Sequence, residues 1–134
     1  MTDTSDRQTG RSRFLTVGLP LYLWAVAMLT VSSIPGQKLP EIGLWQWDKL
    51  AHVFEFAVFA FLLYRYLYSA GRFPAIRIWW LCLTIGTVYG AADELHQFLV
   101  PMRTCTWQDH AADSLGVVLG TMAGAKRFGR KGAS

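Results

Sequence analysis

Residues 79–100 read WWLCLTIGTVYGAADELHQFLV, and the fold turns on this stretch. Ile78 to Ala92 carries no charge, after which Asp93, Glu94, His96 and Gln97 arrive within two helical turns. Continued to Val100, the run is long enough as a helix to cross about 30 Å of hydrocarbon at 1.5 Å per residue. The two adjacent carboxylates at its end need a reason. A carboxylate at mid-bilayer costs about 2.5–3.5 kcal/mol on insertion scales, less near an interface, and such residues usually pair or line a functional cavity.

The rest of the chain has the same character. Its 134 residues are 52% hydrophobic and 16% charged, too apolar and charge-poor for a soluble domain of this size. Further apolar runs cover Phe14 to Ile34, Leu50 to Leu67 and Ala111 to Ala125. The expected fold is all-α, an integral membrane bundle of four transmembrane helices over about 14–34, 48–68, 76–99 and 108–125. These form one domain, 14–125, between a polar tail (1–13) and a basic tail (126–134). A signal peptide is the alternative reading of the first run, because Arg7, Arg11 and Arg13 precede it and Val31 and Ser33 would suit cleavage. The run exceeds the usual apolar core of about 7–15 residues, which favours a retained helix.

Basic residues set the orientation. Arg7, Arg11 and Arg13 precede the first helix, Arg65, Arg72 and Arg77 lie between the second and third, and Lys126, Arg127, Arg130 and Lys131 follow the fourth. The opposite side carries Lys38, Lys49 and Arg103, so both termini are expected in the cytoplasm. The pI near 9.3 is then a topology signal, and no nucleic-acid partner is expected. Trp45, Trp47 and Trp107 fall near one boundary and Trp79 and Trp80 near the other, as amphipathic rings do. Cys82 and Cys105 belong to opposite ends of the third segment and its loop, too far apart for a disulfide.

Polar residues inside the helices carry the chemistry. Asp48, His52 and Glu55 are spaced i, i+4, i+7 and share an arc of roughly 60°. In the third helix Gly86, Gly90, Asp93 and Gln97 share a face with Glu94 at its edge; in the fourth, Asp109, Asp113, Gly116 and Gly120 do so, extended by Gly124. Small residues every four positions let helices approach closely in lipid, so GTVYG and GVVLG are expected to meet and turn their carboxylates toward one another, with Val117 off the row. All these polar stripes lie in the outer halves of their helices, which predicts one outward-opening pocket. Simpler roles compete at several positions. Asp48 and Asp109 suit helix N-caps, Lys49 and Arg103 suit snorkelling toward head groups, and His96 and His110, off the main stripes, suit interhelical hydrogen bonds.

At this point the residues carry a resemblance. SSIP after the first helix, DKLAHVFEF opening the second, and YGAADELHQFLVPMR followed by QDHAADSLGVVLG resemble the VanZ-like family of small bacterial membrane proteins, over roughly Thr30 to Gly120. The family takes its name from a member associated with teicoplanin resistance. The resemblance implies that Asp48, Lys49, His52, Glu94, Gln97, Arg103, Asp109 and Asp113 belong to the family signature, with Glu55 shared by part of it. Met102 stands where a glycine often precedes the arginine. A multi-pass protein of the bacterial cytoplasmic membrane is implied, acting on a cell-envelope lipid or lipid-linked precursor at the outer face.

The expected site comprises Asp48, Lys49, His52, Glu55, Asp93, Glu94, Gln97, Arg103, Asp109 and Asp113, with Lys49 and Arg103 holding a phosphate or carboxylate. Its acids outnumber its bases, so a divalent cation on His52, Glu94 and Asp109 is one way to balance it; a charged His52, protonated carboxyl pairs and Arg103 bridges are the others. Two different classes stay open beside a binding protein: a membrane hydrolase or transferase acting on a lipid phosphate, and a small ion- or proton-coupled carrier. Ser32, Ser33 and Ser114 offer hydroxyls without a nucleophile signature. The carrier reading calls for acids through the full membrane depth, whereas FAFLLYRYLY and VVLGTMAGA occupy the inner halves.

Overall fold

The computed structural model describes residues 10–35, 45–103 and 106–129, with side chains from residue 49 onward in the middle segment. Those residues are all-α, in four helices: α1 (Gly10–Ser32), α2 (Trp45–Ser69), α3 (Ala75–Phe98) and α4 (Trp107–Phe128). Proline and glycine set the ends. Pro35 follows α1, Gly71 turns the chain after α2 with φ 63°, and Pro74, with extended backbone, precedes α3. Pro101 and Met102 follow α3, Met102 taking φ 60°. Near its start α1 widens into a π turn over Phe14–Gly18, beside which Arg65 of α2 donates to the Thr16 carbonyl at 2.9 Å.

The bundle is apolar outside and polar within. Leu23, Val26, Phe54, Ile76, Trp80, Val88, Leu95 and Met122 are exposed, while His52, Asp93, Glu94, Gln97, Asp109 and Asp113 are buried. In water this distribution would be costly on both counts; in lipid it is the stable one. Three helices, Gly10–Ser32, Lys49–Ser69 and Ala75–Phe98, are long and apolar enough to cross a membrane. The fourth is not among them, although at 22 residues it is long enough. Gln108, Asp109, His110 and Asp113 make its first half polar, and its buried face adds Gly116, Gly120 and Gly124 to Ala112, Val117 and Thr121. Its other face, with Leu115, Val118, Leu119 and Met122, is exposed.

α2 is the centre of the bundle and makes its most extensive pairing with α4. The core runs through Met28, Phe56, Phe59, Leu63, Tyr64, Ile78, Cys82 and Val117. Two polar tips within it end on carbonyls of neighbouring helices: Trp24 Nε1 donates to Glu55 O at 3.0 Å and Tyr89 Oη to Ala25 O at 2.9 Å. The glycine rows pack differently from the sequence expectation. Gly116, Gly120 and Gly124 of α4 lie against α2, where a Cβ would strike the Val53 carbonyl, the Ala57 carbonyl and the Tyr64 side chain respectively. Gly86 of α3 receives Val117, which is fully buried and therefore part of the interface. The two rows do not face each other because α4 presents its glycines to α2, its closer neighbour, and its side chains to α3.

Candidate functional site

Successive helices alternate in direction, so the ends of α1 and α3 share one layer with the starts of α2 and α4. In that layer Lys49 pairs with Asp109 and lies 3.5 Å from the Thr106 hydroxyl. Thr106 is the N-cap of α4, and Asp109, in its first turn, reaches back to it. The Asp109 carboxylate accepts from the Thr106 N–H at 3.1 Å and from its hydroxyl at 2.7 Å. This capping box ties helix initiation to the ion pair. Asp109 thus stabilises the helix start without being its N-cap, and Asp48 falls inside the first turns of α2, its side chain outside the described residues.

One turn deeper, His52 Nδ1 lies 2.8 Å from Asp113 Oδ1, an α2–α4 contact in which the ring N–H can donate to a wholly buried carboxylate. From α3, Glu94 approaches this pair closely enough that one donor atom from each of the three residues lies within 4.8 Å of the others. Asp93 accepts from Gln97 Nε2 at 2.8 Å, and the same amide nitrogen lies 3.3 Å from the Ser32 hydroxyl of α1. Glu55 lies one turn from His52 on α2, within electrostatic range of Asp93, Asp113 and Arg103. Arg103 is half-buried, and its Nε is sealed from solvent with no hydrogen-bond partner among the described residues.

The residues expected in the site, Asp48 aside, therefore converge on this layer, but in two sub-clusters. Lys49 and Asp109 form the shallower one; His52, Glu94 and Asp113 form the deeper one, where Asp113 occupies the place that sequence reasoning gives to Asp109. His96 makes an interhelical contact, its Nε2 being 3.0 Å from the Ser33 hydroxyl. His110 Nδ1 has no hydrogen-bond partner among the described residues. Thr106 and Ser32 are participants that sequence reasoning does not assign to the site. A threonine three residues before an acid at a helix start is a legible signal for the first.

Comparison with known families settles where the chain belongs. The model of the VanZ/LLP1 family matches residues 2–125, nearly the whole chain. The protein is a member of the VanZ/LLP1 family. It matches none of the curated proteins and none of the solved structures. Every residue of the polar layer lies inside the matched region, so in this VanZ/LLP1 protein the layer is part of the family domain. With three helices able to cross a membrane, the VanZ/LLP1 chain is a multi-pass membrane protein.

Proposed function

We propose that the polar layer is an outward-facing pocket in the bacterial cytoplasmic membrane that binds the head group of an anionic envelope lipid or lipid-linked precursor. The observation that carries this reading is Arg103. Lys49 is engaged by Asp109 and Thr106, whereas the Arg103 Nε is buried without a partner among the described residues. A guanidinium offers planar, bidentate donors suited to phosphate or carboxylate. Orientation rests on the basic residues at the opposite end of the bundle, Arg13, Arg65, Arg72 and Arg77 among them, which favour the cytoplasm. The association of the family's namesake with teicoplanin resistance fits a ligand drawn from envelope precursors.

Depth favours binding over transport. Below the layer the buried positions include Phe59, Leu63, Ile78 and Val117, with the hydroxyls of Tyr64 and Thr121 but no buried acidic, basic or histidine side chain among the described residues, so a charge relay through the full depth has no such steps there. Mass spectrometry of lipids copurifying with the wild type and with Arg103→Ala tests the reading. An anionic lipid enriched over the bulk membrane is expected on the wild type and should be depleted on the variant. Indistinguishable lipid profiles from two equally folded preparations would rule out an Arg103-dependent pocket.

A further inference from the structure

His52, Glu94 and Asp113 come from three different helices and meet one turn below the Lys49–Asp109 pair. Each offers a nitrogen or oxygen, and these atoms all lie within 4.8 Å of one another. All three residues are buried, at 9%, 7% and 0% exposure. Donor atoms about 2.0–2.2 Å from an ion sit up to about 4.4 Å apart, so slight side-chain rotation closes the trio around one.

Two further observations point to a ligand at this place. Asp113 Oδ2 has no hydrogen-bond partner among the described residues, although Asp113 is wholly buried. That oxygen faces the bare Cα of Gly90, where a Cβ would stand 3.3 Å from it, and Gly90 lies one turn before Glu94 on α3. Charge supplies the second. Glu55 and Asp93 belong to the same polar layer, and Asp93 Oδ1 has no hydrogen-bond partner among the described residues. Carboxylates gathered at low dielectric repel one another until protons or a cation relieve them, and a cation held by the trio would do so directly.

We infer that His52, Glu94 and Asp113 form a three-ligand site for a divalent transition-metal ion. One imidazole with two carboxylates suits zinc or manganese, whereas magnesium and calcium favour shells made wholly of oxygen. Three protein ligands leave a coordination position for an outside oxygen, as catalytic zinc sites do. A head-group phosphate is a ligand of that kind, and this part of the inference rests on the lipid-binding reading; the ion site itself does not. The metal would also let an anion enter a layer rich in carboxylates.

The test uses the full-length protein in detergent, stripped with chelator and titrated with Co²⁺ and Zn²⁺ alone. The wild type is expected to bind about one ion per chain and, with Co²⁺, to show ligand-field absorption of a mixed nitrogen and oxygen shell. Glu94→Gln and His52→Ala should each bind at least about tenfold more weakly, since even residues that only orient a ligand contribute about 10–100-fold. Cys82→Ala, which removes a possible metal-binding thiol from the apolar core away from the trio, should keep wild-type affinity. Helicity by circular dichroism and a monodisperse elution profile are required of every variant, and Glu94→Gln, nearly isosteric, guards against loss of fold. No stoichiometric uptake by the wild type, or wild-type uptake by folded Glu94→Gln, overturns the site. Lipid analysis of the same preparations separates the two readings: lipid enrichment without metal uptake overturns the ion, and metal uptake without lipid enrichment overturns the pocket while leaving the ion in place.

Discussion

Met102 holds a left-handed backbone at φ 60°, a conformation that costs an L-residue about 1–2 kcal/mol and that glycine adopts freely. Its side chain is 70% exposed and regains little by burial. Met102→Gly is expected to stabilise the detergent-solubilised protein by about 0.5–1 kcal/mol, the strain relieved less the added chain entropy of glycine. A thermal unfolding midpoint unchanged or lowered by the substitution would contradict this. The resemblance marks the position as one where glycine often stands, but a sequence does not print φ, and the sign of the dihedral came from the fold. Similar limits apply within the site. The i, i+4, i+7 spacing sorts Asp48, His52 and Glu55 onto one face, and Glu94, Gln97, Asp109 and Asp113 into the same layer. It does not choose partners. Asp109 is drawn to Thr106 and Lys49 by the capping geometry of α4, which leaves Asp113 for His52.

At the scale of the helix, the small-residue rows were legible and their mates were not. Spacing identifies which side of α3 and α4 can be approached closely, but two rows of glycine are equally compatible with facing each other or with each receiving a third helix. The outcome separates two kinds of contact. A Cβ at Gly120 meets the backbone of Ala57, whereas the nearest obstacle to one at Gly86 is the Val117 side chain, 2.6 Å away. Backbone cannot move aside within a packed helix pair, and a side chain can be trimmed. Gly120→Ala and Gly86→Ala should therefore each destabilise by about 1–3 kcal/mol, the range for overpacking. Val117→Ala should restore most of the loss at Gly86 and none of that at Gly120. Thermal or denaturant unfolding of the single and double variants reads the coupling directly, and strictly additive effects for Gly86 with Val117 would mean that their contact is not the one described.

For the whole molecule, membrane residence was plain from composition, and sidedness rests on the arginines and lysines alone, because packing is indifferent to which end faces the cytoplasm. In a background lacking both native cysteines, a cysteine at Gln108 should react with a membrane-impermeant thiol reagent in spheroplasts, and one at Ser69 should be protected until the membrane is opened. The reverse pattern would place the polar layer in the cytoplasm. What composition obscured was the standing of α4, which is half polar along its start and lined with glycine where it meets α2. Such a segment has little tendency to leave an aqueous insertion channel by itself. It packs instead as a companion of α2, whose backbone fills the glycine row and whose Lys49 and His52 answer its two acids. Insertion and folding of this helix are therefore expected to be a single event, in which the contacts that assemble the polar layer would also be the ones that admit α4 to the bilayer.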